Sequence, residues 1–88
     1  MAYQVGIRRK AQKQIDRMQE RDRERVLEAA FALGDDPRPR DAAKMRGTGK
    51  LEEWRIQIGR DYRVIYRIDD EAREILILEA GHRQGIYG

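Results

Sequence analysis

Arginines recur at alternate positions in the second half of the chain, and their spacing is what first indicates chemistry. Arg55, Arg63 and Arg67 lie in segments that alternate apolar and polar residues, and Gln57 follows Arg55 by two positions. Because neighbouring side chains of a strand point to opposite faces, this spacing predicts one sheet face that carries all four. Arginine offers a planar fork of donors that fits a phosphate group, so the pattern favours a nucleic-acid partner.

An ion-pair lattice is the alternative interpretation of this face. Glu53, Glu74 or Glu79 could neutralise the arginines without any ligand. The overall charge does not decide between the two, since 19 Lys+Arg against 16 Asp+Glu leave a net charge of only +3 in a chain that is 40% charged. A solvated, highly charged surface would give the same totals.

The residue types exclude several catalytic classes. The chain has no Ser and no Cys, a single Thr and one His, so neither a nucleophilic triad nor a cysteine-based or histidine-based metal centre can be assembled. We therefore expect no metal and no cofactor. Electrostatic stabilisation of a phosphorane by arginine remains, with Tyr87 or His82 as proton-transfer groups and the 2′-OH of RNA as the nucleophile.

The first part of the chain predicts one strand and two helices. Tyr3–Arg8 alternates as a strand with one buried face. Apolar spacings of three and four predict a helix over about residues 9–18 and a second over about 22–33. Asp22 is the expected N-cap of the second helix, and Gly34 is its expected left-handed C-cap. The two helices should form a hairpin.

The second part predicts strands. Residues 35–50 are expected to form a loop, with a helical turn at Ala42–Met45. Two alternating segments follow over about residues 54–58 and 62–68, and then a nearly continuous apolar run over 73–80. Short turns join these three extended segments, which favours antiparallel pairing. In the last segment, strict alternation puts Leu76, Leu78 and Ala80 on one face, with Ile75 and Ile77 on the other. The expected fold class is α+β, with the helices on one face of a curved, mainly antiparallel sheet.

The longest uninterrupted apolar stretch is Ile75–Leu78. This is far shorter than a membrane span needs, so we expect no membrane association and a cytoplasmic location.

Several of these segments resemble a known family. They are Ala43–Gly47, Trp54–Ile56, Tyr62–Ile68, and Gly81-His82-Arg83 followed by Tyr87. Together they resemble the RelE/ParE superfamily of toxins from type II toxin–antitoxin systems, over essentially the whole chain as a single domain of residues 1–88.

The resemblance implies a function and roles for particular residues. RelE-like members are ribosome-dependent endoribonucleases that cut mRNA in the A site and arrest translation. By resemblance, Arg63 and Arg83 stabilise the transition state, Tyr87 stacks on or activates the cleaved nucleotide, and Arg55 takes a position that is often basic. Gln57 stands where some members have a lysine, and Arg55 cannot act as a base, which leaves Tyr87 or His82 to handle the proton. The residues expected to bind RNA are Arg55, Gln57, Arg67, Arg46 and Lys44.

The resemblance also implies partners: an acidic, partly disordered antitoxin, the ribosomal A site with its mRNA, and operator DNA only through the antitoxin complex. The apolar second face of Ile75–Leu78 is compatible with an antitoxin segment. Two other functions stay open at this point. One is ParE-like inhibition of DNA gyrase, and the other is a catalytically impaired member that only binds RNA or antitoxin.

Overall fold

The computed structural model describes residues 2–46 and 51–82. Five strands and two helices occur in these ranges, in the order β1 (Gln4–Ile7), α1 (Arg9–Asp16), α2 (Glu20–Ala32), β2 (Ala43–Arg46), β3 (Leu51–Ile58), β4 (Tyr62–Asp69) and β5 (Glu74–His82). Neither helix has the length and apolar character needed to cross a membrane.

The five strands form one mixed sheet in the order β1-β5-β4-β3-β2. The short turns join β3, β4 and β5 as antiparallel neighbours, as the sequence predicts. β1 runs parallel to β5. The two helices bring the chain back to the end of the sheet where β1 finishes, and three antiparallel pairings then lead from β2 to β5. The fold class is therefore α+β, as predicted.

Helix α1 protects the edge of β5 at the point where β1 ends. β1 pairs with β5 as far as Ile7 opposite Ile77, and the chain then turns into the helix. The Ala80 N–H on this edge donates a hydrogen bond to Gln14 Oε1 at 2.9 Å. Ala11 and Ile15 are buried on the same helix. Polar pairing at the edge and apolar burial thus fix α1 together.

The core lies between the helices and one face of the sheet. The side chains of β3 and β4 that belong to this core alternate along each strand, as period 2 requires. Trp54 and Tyr62 are partly buried against the same core, on the face opposite the one predicted for Arg55 and Arg63. The buried core of the helices and these two strands comprises Ala11, Ile15, Val26, Ala30, Leu33, Ile56, Ile58, Val64, Tyr66 and Ile68.

Strand β5 departs from strict alternation. Its register with β4 shifts between Ile65 and Tyr66, which leaves Leu78 as an extra residue in β5. The prediction that grouped Ala80 with Leu76 is wrong, because this bulge reverses the faces of the residues that precede it. The core residues of β5 are Ile75, Ile77 and Ala80.

The segment predicted as a helical turn at Ala42–Met45 is instead strand β2. It pairs antiparallel with β3, with Ala43 opposite Arg55, and its register shifts between Lys44 and Arg46. The segment is too short to show a strand pattern by itself, so its pairing with the outer edge of β3 decides its conformation. β3 accordingly begins earlier than predicted, at Leu51.

Both predicted caps of the second helix are wrong. The helix begins one turn earlier, with Gln19 at the N-cap position, and Asp22 instead accepts a hydrogen bond from the Tyr62 hydroxyl at 3.0 Å. Gly34 does not have a positive φ; among the glycines in the described ranges, Gly59 does (64°). Gly34 is required for space, because a Cβ there would lie 2.8 Å from the carbonyl oxygen of Tyr3.

We expect Gly34→Ala to destabilise the fold by about 1–3 kcal/mol, because the methyl group would collide with backbone that cannot move aside cheaply. Gly6→Ala is the matched control, since its Cβ would meet its nearest neighbour, Leu76 Cδ1, at an ordinary 3.8 Å. Urea unfolding of both variants measures the difference. Equal free energies of unfolding for the two variants would contradict the steric account.

Candidate active site

Three of the predicted site residues meet on the sheet face that is turned away from the helices. Gln57 lies directly opposite Arg63 in the β3–β4 ladder, and Arg55 is two residues from Gln57 on the same face. These three side chains line a cavity of about 100 Å³, together with Asp41 and Ala43. The alternation in the sequence predicts this group correctly.

The arginines of this cavity are held rather than fully solvated. Arg55 and Arg63 are both half-buried, and the Nε atom of Arg63 is enclosed. Gln57 is exposed, and its Nε2 donates a hydrogen bond to the carbonyl of Gly59 at 3.1 Å. Partial burial restricts both side chains and so lowers the entropic cost of binding an anion. We refer to this site below as the arginine cleft (Asp41, Ala43, Arg55, Gln57 and Arg63).

Arg67 lies farther along the same face but is balanced by an acid. It stands opposite Glu53 in the ladder, and its Nη2 is 3.7 Å from Glu53 Oε2. Glu79 is likewise engaged, with Lys10 at 3.3 Å. The ion-pair interpretation therefore holds for Arg67.

Two predicted site residues lie on the other side of the sheet. Lys44 is opposite Trp54, on the helix side, and forms an ion pair with Glu52 at 3.4 Å. His82 is opposite Tyr62, and the two rings meet edge to face with centroids 6.0 Å apart. Strand alternation turns both side chains away from the cleft, so the structure does not bring Lys44 and His82 together with the arginines.

The remaining predicted residues are only partly covered by the structure. Arg46 lies in β2 opposite Glu53. Arg83 and Tyr87 lie outside the described residues, as do residues 47–50 of the predicted loop.

Asp41 is the cleft residue that the sequence did not predict. It lies in the loop between α2 and β2, four residues after Pro37 and two after Pro39, and no repeating pattern marks it. Its place beside Arg55 depends on β2 pairing with β3, which brings Ala43 opposite Arg55. Only a correct prediction of strand β2 could have indicated from the sequence that Asp41 lies at the cleft.

The loop that carries Asp41 is anchored at several points. The buried Tyr66 hydroxyl donates to the Pro37 carbonyl at 2.7 Å. Arg38 forms ion pairs with Glu52 at 3.0 Å and Asp70 at 2.8 Å. Its guanidinium carbon also lies 5.7 Å from the ring centroid of Trp54. One arginine therefore ties the loop to β3 and to the β4–β5 turn.

This network shifts the pKa of both carboxyl groups. Hydrogen bonds from the Trp54 indole, and then from Arg38, hold the pKa of Glu52 below its usual range. Arg38, and then the Tyr3 hydroxyl, lower the pKa of Asp70 in the same way. Burial raises the pKa of the Tyr66 phenol well above its usual range, so this group stays a hydrogen-bond donor throughout the physiological range.

The cleft can stabilise negative charge, and its lining contains no hydroxyl or thiol that could act as a nucleophile. Two guanidinium groups can donate to the oxygens of a phosphate and favour the extra charge of a pentacoordinate phosphorane. The described residues offer no group of three or more His, Cys, Asp or Glu side chains that could hold a metal ion. The arrangement therefore suits a substrate that brings its own nucleophile.

Comparisons with known proteins show which family and which solved structures this chain resembles. Residues 5–87 match the family described as the ParE toxin of the type II toxin–antitoxin system parDE. The RelE–RelB complex from the archaeon Pyrococcus horikoshii OT3 contains a chain with 35% identity and a TM-score of 0.85, covering 94% of this chain and 97% of that one. No curated protein matches the sequence.

Two bacterial structures agree with this placement. The Mycobacterium tuberculosis RelBE2 toxin–antitoxin complex matches at 29% identity with a TM-score of 0.78, covering 94% of this chain and 100% of that one. The isolated E. coli RelE toxin matches in fold alone, at 22% identity and a TM-score of 0.75, covering 98% and 92% of the two chains. The architecture is thus that of a RelE-like toxin. The chain belongs to the RelE/ParE superfamily of toxins of type II toxin–antitoxin systems.

The anchoring network predicts a particular pH dependence of stability. The pKa values of Glu52 and Asp70 are lower in the folded chain than in the unfolded chain, so the unfolded chain binds protons first as the pH falls. The stability that they contribute is present at neutral pH and is lost below about pH 5. Glu52→Gln should therefore lower the urea midpoint more at pH 7 than at about pH 3. An equal effect of this substitution at both pH values would contradict the account.

Proposed function

We propose that this protein is a ribosome-dependent endoribonuclease that cleaves mRNA in the A site and so arrests translation. The observation that carries the proposal is the arginine cleft, where Arg55 and Arg63 converge on a space that could take a phosphate group. RNA supplies the missing nucleophile, because its 2′-OH can attack the adjacent phosphorus once the backbone is bent into line. Arg83 and Tyr87 would complete the site from the C-terminal segment.

Dependence on the ribosome accounts for the small size of the site. The cavity of about 100 Å³ is too small to hold more than part of one nucleotide. An in-line attack requires the 2′-oxygen, the phosphorus and the leaving oxygen to be aligned, and alignment is the largest entropic cost of the reaction. A ribosome that already holds the mRNA in position would lower this entropic cost. The proposed place of action is the cytoplasm.

The proposed protein partner is an acidic antitoxin. Two of the similar structures are RelE–RelB or RelBE2 complexes, each of a toxin with its antitoxin. An acidic segment would match the net positive charge of this chain, and it could cover the arginine cleft. Growth should stop on expression of the toxin alone and resume on co-expression with its antitoxin.

Inhibition of DNA gyrase is the second candidate function. The family matched by residues 5–87 is described by its ParE member, which favours it. A supercoiling assay that shows trapped gyrase–DNA complexes, without cleavage of ribosome-bound mRNA, would establish this function in place of the first.

We expect Arg63→Ala to reduce cleavage of ribosome-bound mRNA by about 100-fold to 1,000-fold, because it removes a donor to the phosphorane. Toeprinting of a translated message with antitoxin-free protein measures the loss. Arg21→Ala is the matched control, since Arg21 is exposed on α2 and is not a cleft residue. Absence of A-site cleavage by the unaltered protein would refute the proposed function. Equal activity of the two variants would refute the role of Arg63.

A further inference from the structure

The cleft contains one side chain that can accept a proton at neutral pH. Arg55 and Arg63 stay protonated, and the amide of Gln57 is not basic. Asp41 is the remaining polar residue that lines the same cavity. It is exposed, so a bound substrate can reach its carboxylate.

The described candidates outside the cleft are poorly placed for this task. His82 lies on the helix side of the sheet against Tyr62, so the sheet itself separates its ring from the arginines. The Tyr66 hydroxyl is committed to the Pro37 carbonyl. A general base must come within hydrogen-bond reach of the proton that it removes, and among the described side chains Asp41 meets this requirement best.

The loop holds Asp41 in place. Tyr66 fixes Pro37, and Arg38 ties the next residue to β3 and to the β4–β5 turn. The Ala42 N–H donates to the Pro39 carbonyl at 2.9 Å, which closes a turn around Asp41. Ala43 then enters the sheet opposite Arg55. Anchors on both sides of Asp41 are what a preorganised catalytic group requires.

We propose that Asp41 is the general base of the cleavage reaction, an assignment that rests on the proposed endoribonuclease function. Its carboxylate takes the proton from the 2′-OH of the nucleotide before the scissile bond. The 2′-oxygen then bonds to phosphorus, and the bond from phosphorus to the 5′-oxygen breaks with its electron pair on that oxygen, which takes a proton from water. The products are a 2′,3′-cyclic phosphate and a 5′-OH end. Asp41 finally returns its proton to the solvent.

This role fits the charges around the site. Arg55 and Arg63 face the phosphate, and the carboxylate at the rim of the same cavity faces the sugar that carries the attacking hydroxyl. The site thus pairs cations with the group that gains negative charge, and an acceptor with the group that loses a proton. It also supplies the base that Arg55 and Gln57 cannot provide.

Single-turnover cleavage of mRNA in ribosomal complexes tests the assignment. Asp41→Asn should lower the cleavage rate by about 100-fold or more at saturating protein while binding to the A site stays intact. Asp36→Asn is the matched control, because Asp36 belongs to the same loop and does not line the cleft. Asp41→Ala should regain part of its activity on addition of formate, a small carboxylate that can occupy the vacated space, and Arg63→Ala should not.

The outcomes separate the two proposals. If the unaltered protein cleaves and Asp41→Asn retains its rate within about threefold, the assignment of Asp41 is overturned and the proposed function stands. A rate loss that follows from weaker A-site binding, with no rescue by formate, also overturns it. If the unaltered protein cleaves no ribosome-bound mRNA, the proposed function fails and the assignment fails with it.

Discussion

The register between β3 and β4 is the constraint on which the rest of this structure depends. It places Ile56 opposite Val64 on the helix side and Gln57 opposite Arg63 on the other side. A slip of one residue would exchange the two faces, burying arginine beneath the helices and exposing the core. The burial of apolar side chains against α1 and α2 therefore determines where the cations lie. Core stability and the arginine cleft are two consequences of one pairing.

The sequence predicts the central part of this arrangement well. The helix-facing and cleft-facing residues of β3 and β4 follow from alternation, which is a local property that a single chain displays. Prediction fails where a distant contact decides the conformation. β2 becomes a strand because the edge of β3 is available to it, and the bulge at Leu78 reverses the faces of the first half of β5. Gly34 is needed because the chain of Tyr3 passes close by, which no local pattern reveals.

The sequence could indicate site residues on regular strands, and it could not indicate those whose place depends on contacts outside the strand pattern. Arg55 and Arg63 are carried by regular strands, so their faces could be inferred. Lys44 and Asp41 are near neighbours in the sequence, yet they end on opposite sides of the sheet edge, with Lys44 paired to Glu52 and Asp41 at the cleft. Their separation depends on the β2 pairing with β3 and on the Arg38 anchor, which joins the loop to Glu52 and Asp70.

The shared fold of RelE and ParE toxins does not determine a target, so the function must be argued from the site. Loss of a lysine at Gln57 would by itself suggest a weakened enzyme, because the sheet then presents arginines that cannot exchange protons. The loop between α2 and β2 alters that conclusion, since it brings the Asp41 carboxylate to the arginine cleft from outside the sheet. A division of tasks between a rigid sheet that binds phosphate and an anchored loop that moves the proton would retain the chemistry with different residues. Such a division lets one strand register serve both the core and the binding of phosphate, while proton transfer depends on the loop.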